Sequence, residues 1–385
     1  MQITYLDNAA STWPKPSSVK EAMNECLDHY AANPGRGGHQ LALKASKALF
    51  FTRVKLAQLF RISNPNDIAF ALNATAALNL GIRGLLKSGD HVITSSLEHN
   101  SVRRPLELLR EILGVEISYV KPNEDFCFDL TSFEKEFKPN TRLVVVSHAS
   151  NLIGVLTPIE EIGQLCNKHQ VTFMVDASQS AGVFPIDVEK LNIHLLAFPG
   201  HKGLYGPQGT GGLYIHPDLD LDPLLVGGTG SHSESIEQPV TRPDRYESGT
   251  QNTVGLAGLG AGVDFVLKTG LEKIREKEFQ LTYELLARLE NIKGVTVYGP
   301  KKEIERAAVV AFSIEGLDAS EVAFILDQEY GIAVRSGYHC TPLGHETIGT
   351  LNQGVVRASF GFFNTIDDVD LLVKAIREIC EKLGD

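Results

Sequence analysis

An α/β fold built on a mostly parallel sheet is what this 385-residue sequence predicts, and three observations predict it. Short β-branched runs alternate with longer amphipathic segments as far as about residue 265. Beyond that point the alternation gives way to one long charged helix and fewer strands. Polar residues collect where the apolar runs end, the edge at which open α/β sheets bind their ligands.

In chain order, "IAFAL" (68–72), "HVITSS" (91–96), "VEISYV" (115–120), "RLVVVSH" (142–148), "VTFMVD" (171–176) and "HLLAF" (194–198) read as buried strands. Helix candidates between them include 76–86, 102–112 and 158–169. Strand and helix in alternation imply a parallel sheet covered on both faces. An earlier helix is expected from Ser18, because Ser18 and Glu21 have capping-box spacing. The C-terminal part holds the helix "LEKIREKEFQLTYELLARLE", the strands "AAVVAFSI" and "VVRASFGF", and helices over 319–330 and 366–383. This reads as a smaller α+β domain. No Pro- or Ser-rich linker separates the two parts, and no repeat or low-complexity tract is visible, so a tight interface between them is expected.

Composition narrows the function. Lys and Arg total 36 against 47 for Asp and Glu, a net charge of -11, which opposes unassisted binding to phosphate backbones or anionic lipid. Five cysteines, at 26, 127, 166, 340 and 380, form no C-x-x-C pair; this suits a reducing compartment rather than a disulfide framework or closed zinc site. With no basic start ahead of a long apolar stretch and no membrane-length apolar run, the cytoplasm is expected.

Asp176 ends one buried strand, Gln179 follows within a turn, and Lys202 lies just beyond the next strand. Singly, Asp176 reads as a helix cap and Lys202 as a solvated loop lysine. Together, ahead of a glycine-rich stretch, they have what a pyridoxal phosphate enzyme needs: an amine to hold the aldehyde and a carboxylate to keep the pyridine nitrogen protonated. The glycines after Lys202 would let the backbone turn beside a bulky ring. "GPQGTGG" lacks the G-K-[ST] ending of a nucleotide loop, and no complete G-x-G-x-x-G follows a strand.

"DNAAST", "NPGRGGH", "ATAALN", "LEHNS", "SNLIGVLTPI", "VDASQSAG", "GHKGLYGPQGTGGLY", "YESGTQN", "RSGYHCTPL" and "VRASF...NT" occur in the order found in class V aminotransferase-like proteins of pyridoxal phosphate fold type I. Across nearly its whole length the chain resembles the cysteine desulfurase and selenocysteine lyase branch with a short R-x-G-x-H-C loop. The resemblance implies a large domain (18–264) with a mostly parallel seven-stranded sheet, a small α+β domain (265–385) carrying the Cys340 loop, and an N-terminal arm (1–17) packed on the latter. It makes Lys202 the Schiff-base lysine, Asp176 the pyridinium partner, Gln179 the partner of the phenolic oxygen, and His99 the ring-stacking residue. Thr75, the Ala74 amide, His201 and, from a second subunit, Thr250 would hold the phosphate. Arg357 would grip the substrate carboxylate, with His39, Asn151 and Arg335 lining the same pocket. The implied assembly is a homodimer with L-cysteine as substrate and a sulfur-acceptor protein as a further partner.

Cys340 carries the reaction reading. Flanked by Arg335 and His339 on a Gly-containing loop, it is expected to be the reactive thiolate that takes sulfur as a persulfide, whereas Cys26, Cys127, Cys166 and Cys380 are expected to be buried and inert. Zinc binding by "HCTPLGH" lacks a third and fourth ligand nearby in sequence. The alternatives are transamination or β-elimination with Cys340 incidental, or a non-catalytic scaffold. Two positions depart from the resembled branch: Pro199 stands where a phosphate-binding Ser is usual, and "TPLGHETIGT" after Cys340 leaves an unexpected His345.

Overall fold

The computed structural model describes residues 3–35, 37–232 and 234–384. Arg36 of the "NPGRGGH" motif, and Met1, Gln2 and Asp385 at the ends of the expected domains, lie outside the described residues.

Strand β1 (Thr4–Tyr5) opens the chain, followed by α1 (Ser17–His29) and α2 (Gln40–Phe60). The alternating part then runs β2 (Ile68–Ala71), α3 (Ala74–Leu85), β3 (His91–Ser95), α4 (Asn100–Leu113), β4 (Glu116–Val120), α5 (Leu130–Glu134), β5 (Thr141–Ser147), α6 (Ile159–His169), β6 (Thr172–Asp176), β7 (Leu195–Pro199) and β8 (Gly211–Ile215). These strands form one seven-stranded sheet in the order β2-β8-β7-β6-β5-β3-β4. The pairs from β7 to β4 are parallel, and β8 runs antiparallel between β7 and β2. The two-residue period of a strand divides the sheet's side chains between two cores. Leu143 and Val145 join α3 and α4 on one face, while Val144 and Val146 join α2, α6 and the later helix α7 (Thr253–Thr269) on the other. Burial on both faces accounts for the near-continuous apolar runs in the sequence.

The helix expected from Ser18 begins at Ser17, with Pro16 at its N-cap and no side-chain capping bond. A proline there presets the backbone, and the Ser18–Glu21 box does not form. Helices α1 and α2 pack on α7, and small residues make this close approach feasible: a Cβ on Gly260 would stand 2.4 Å from Thr52 Oγ1.

At Gly270 the chain bends by 84° into α8 (Leu271–Leu289). Then come β9 (Val295–Tyr298), β10 (Val309–Ile314), α9 (Ala319–Tyr330), β11 (Ile332–Ala333), β12 (Arg335–Gly337), α10 (Pro342–Thr347), β13 (Val355–Ser359) and α11 (Ile366–Gly384). Strands β12-β13-β10-β9 make an antiparallel sheet around a second core. The N-terminal strand crosses to this part, since β1 pairs in parallel with β11 and Leu6, fully buried, packs in the second core. The next residues, Asp7 to Thr12, then return toward the seven-stranded sheet. Among the described residues no single helix is long and apolar enough to cross a membrane.

Leu6→Ala is expected to cost about 2–5 kcal/mol, the range for truncating a buried leucine. Urea unfolding measures it, and a loss under about 0.5 kcal/mol would show that the arm is not part of the second core.

Candidate active site

Strands β3, β5, β6 and β7 all end at the same edge of the sheet, because they are parallel and nearly in register. Asp176 closes β6 opposite Ser147 of β5 and Ala197 of β7, and it is 3% exposed. Its Oδ1 accepts from Ser178 N at 2.9 Å and Ser178 Oγ at 2.5 Å, while Oδ2 makes no hydrogen bond among the described residues.

Lys202 lies three residues past β7. Burial is the main cause that brings its ammonium pKa down to about 8, with Arg357 and Arg335 adding to the fall and Asp176 opposing it. The N-terminal arm pins the backbone here. Thr12 N donates to His201 O (3.0 Å), Thr12 Oγ1 to Lys202 O (2.5 Å) and Lys15 Nζ to His201 O (2.8 Å). Gly203, next to Lys202, serves close packing against the protein's own backbone. Gly203 has no left-handed φ, yet a Cβ on it would stand 2.5 Å from Ala181 O.

Two helix N-termini complete the wall. Asn73 caps α3 through Ala76 N (2.9 Å), leaving the first-turn amides of Ala74 and Thr75 without partners among the described residues, an arrangement suited to an anion. His201 faces the same cavity with a buried, unpartnered Nδ1; burial first, then Lys202 and Lys15, push its pKa to about 4. His99 caps α4, accepting Ser101 N at Nδ1 (3.0 Å). The neutral ring therefore carries its proton on Nε2, and burial holds its pKa near 4. Ser101 Oγ also touches His99 Nδ1 (2.9 Å) and Thr75 Oγ1 (2.7 Å), linking the two caps. Beneath this turn Glu98 is buried, accepting from Ser95 Oγ (2.5 Å), Ser147 N (2.9 Å) and Ser147 Oγ (2.7 Å).

A cavity of about 200 Å³ joins these groups. Ala74, Thr75, His99, Asp176, Gln179, His201 and Lys202, the residues expected around a cofactor, line it on the large-sheet side. Asn151, on the turn after β5, lines it as well, and Arg335 and Arg357 line it from the C-terminal part. Arg335 and Arg357 face each other on paired strands. Arg357, 1% exposed, donates from Nη2 to Asp7 (2.8 Å) and from Nη1 to Asn151 O (2.9 Å). Gln179 spends one donor on Ala9 O (3.1 Å). Pro199 also lines the cavity and contributes no hydrogen bond.

The other expected residues differ in where they stand. His39 is exposed and does not line the cavity, because its Nδ1 caps α2 through Ala42 N (3.3 Å). Asn151 lines it with both polar ends engaged: Nδ2 donates to His339 O (2.7 Å), and Oδ1 accepts from Thr341 Oγ1 (2.9 Å). Thr250 is exposed on a separate groove near Asn33 and Gly35, so no residue of its own chain's cavity meets it. Burial drives His339 to a pKa of about 3, and its Nε2 is hydrogen-bonded to Val355 O (3.0 Å). His339 is therefore neutral, and Arg335 is the cation next to Cys340, with Nη2 at 4.0 Å from Sγ. Cys340 is half-buried and Cys26 and Cys166 are buried, whereas Cys127 is exposed on the loop before α5. Sequence reasoning missed Ser101, Ser178, Asp7, Thr12, Lys15 and Glu98. For all of these but Lys15 the signal was their place inside the quoted motifs.

A family model, "Aminotransferase class-V", matches residues 4–372. The chain belongs to this family. A protein of Methanothermobacter thermautotrophicus named "Probable cysteine desulfurase" is 38% identical over 97% of this chain and 94% of its own. A cysteine desulfurase of Shigella sonnei is 34% identical over 100% of this chain and 95% of its own. The apo structure of the cysteine desulfurase from Thermococcus onnurineus NA1 superposes with a TM-score of 0.93 at 35% identity, covering 99% of this class V chain and 95% of the other.

Burial raises the Glu98 pKa to about 7 from an ordinary 4.5. A carboxyl that holds its proton more tightly when folded makes stability fall as pH rises from about 4.5 to 7, and leaves it level above. Denaturation of the cofactor-free chain is expected to show this loss, of the order of 3 kcal/mol at most, and Glu98→Gln is expected to remove it. Parallel pH profiles for both proteins would refute the assignment.

Proposed function

We propose that this protein is a pyridoxal phosphate-dependent cysteine desulfurase that converts L-cysteine to L-alanine and passes the sulfur to Cys340. The observation that carries the reading is the convergence of Lys202, Asp176, His99 and an anion-ready helix end on one cavity whose far wall presents Arg335, with Cys340 directly behind it.

The groups present fit the cofactor. The unpaired amides of Ala74 and Thr75 and the orphaned Nδ1 of His201 suit its phosphate, and Asp176 Oδ2 suits its pyridinium nitrogen. When bound, the cofactor supplies an electron sink for a carbanion at the substrate Cα. Lys202, with an amine pKa near 8, can hold the aldehyde and, once released, take and return the Cα proton at neutral pH. Arg357 and Arg335 bind the substrate carboxylate and so orient its sulfur toward Cys340. Neutral His99 presents a proton at Nε2. In the transfer the Cβ–S bond of cysteine breaks, a new S–S bond forms to Cys340, and Cβ gains a proton to give alanine.

Assembly as a homodimer belongs to the same reading. Thr250 and His39 are exposed, as are Leu225, Val226 and Ile236, which are 66%, 71% and 104% exposed. A two-fold pair would cover such a surface and bring Thr250 of the partner subunit to the phosphate.

Cys340→Ala is expected to keep cofactor absorbance and the spectral response to L-cysteine while alanine formation drops ~100-fold or more. Full alanine formation would turn the reading toward transamination, and pyruvate with ammonia toward β-elimination.

For the dimer, Thr250→Ala and Lys202→Ala are each expected to be inactive. Mixed and allowed to exchange subunits, they should regain activity, because each hybrid holds one site with both residues intact. No recovery in a mixture shown by native mass spectrometry to contain hybrids would mean Thr250 does not act across the interface.

A further inference from the structure

The loop bearing Cys340 has an unusual backbone. His339 and Cys340 are consecutive non-glycine residues with φ of +48° and +59°, a left-handed conformation that costs of order 1 kcal/mol or more for each. Some contact must hold it. From above, Asn151 Nδ2 grips His339 O (2.7 Å) and Asn100 N grips Cys340 O (2.8 Å). Val355 O holds the His339 ring at Nε2 (3.0 Å) and Tyr338 O accepts from Thr341 N (2.9 Å), and from below one further side chain supports the turn.

That side chain is His345, at the point where the sequence departs from the branch it resembles. It is fully buried in α10. Its ring lies nearly parallel to His339, with centroids 6.1 Å apart at 17°, and edge-on to Tyr338 at 5.4 Å and 73°. Both separations are within the range of attractive ring contacts. Thr350 Oγ1 fixes the ring through Nδ1 (2.7 Å), and Thr350 N returns to His345 O (2.9 Å). His345 N in turn bonds Thr341 O (3.1 Å), the residue after Cys340. His345 thus touches the residues on both sides of the cysteine and makes no contact with the cavity. Burial lowers its pKa, so the ring packs as a neutral plate.

We propose that His345, anchored by Thr350, is a positioning residue that keeps the His339–Cys340 backbone left-handed and so holds the Cys340 thiol beside Arg335. Without the Nδ1–Thr350 bond the side chain is no longer held under His339, the backbone relaxes to a commoner conformation, and Sγ leaves its place at the site. Cofactor binding and the work of Lys202 persist, because no residue of α10 lines the cavity and α10 meets the turn before His99 through Thr347, whose Oγ1 bonds Ser96 Oγ (3.1 Å), not through His345. The inference rests on Cys340 as sulfur acceptor, and its test reads the loop independently of turnover.

The test compares His345→Leu, which keeps bulk and loses the Nδ1 hydrogen bond, with His345→Asn, whose amide can meet Thr350 near the Nδ1 position, and with Thr350→Val. Hydrogen exchange of the peptide over 338–341, measured on the cofactor-free chain, is expected to quicken at least tenfold in His345→Leu and Thr350→Val. Peptides of the seven-stranded sheet should be unchanged, and His345→Asn should return to within about threefold of the parent. In the cofactor-loaded protein, the first two variants should keep the absorbance response to L-cysteine and lose at least tenfold in persulfide on Cys340. If His345→Leu unfolds, Thr350→Val carries the test alone. Unchanged exchange over 338–341 in a folded variant would overturn the inference. Full alanine formation by Cys340→Ala would instead overturn the desulfurase reading, with the exchange result still standing.

Discussion

Everything at the site depends on burying the amine of Lys202 at the carboxyl edge of a parallel sheet. An ammonium there loses its hydration, and two guanidinium groups disfavour its charge further. Asp176, at the end of the neighbouring strand β6, partly compensates. The balance leaves an amine that can be neutral near physiological pH without being unpaired, which is what a nucleophile and proton carrier requires. The same demand explains the company around it: His99, His201 and His339 are all neutral, so none adds to the positive charge already present.

The second constraint is that the site spans two cores. Asp176, Lys202 and His99 belong to the seven-stranded sheet, whereas Arg335, Arg357 and Cys340 come from the C-terminal part. The N-terminal arm bridges them. Leu6 packs in the second core, Asp7 pairs with Arg357, and Thr12 holds the carbonyls of His201 and Lys202. One short segment therefore sets the distance between the cofactor side and the substrate side, and this accounts for the motif "DNAAST" lying so far in sequence from the residues it serves. Asn151 does a similar job from the sheet side, holding the Cys340 loop with its amide and Arg357 with its carbonyl.

The alternating strands and helices were legible because burial on both faces leaves an apolar run that composition alone reveals. Asp176 and Lys202 were legible because each follows such a run directly. Ser18 as a cap was misread, since local spacing cannot show that Pro16 already shapes the turn. The glycines after Lys202 are expected to be conformational; Gly209, at φ +76°, is, whereas Gly203 makes room for Ala181 O, a neighbour 22 residues away in sequence.

Taken alone, then, the amino-acid order determined the α/β class, the strand-end residues of the large sheet and, through its motifs, the family, because each is encoded by neighbours along the chain. Which arginine stands next to Cys340, that His339 is neutral, that His39 caps a helix outside the cavity, and that His345 lies beneath the cysteine loop were decided by tertiary structure. Each depends on desolvation or on a contact between segments distant in the chain, and neither quantity exists until the two cores have closed on one another.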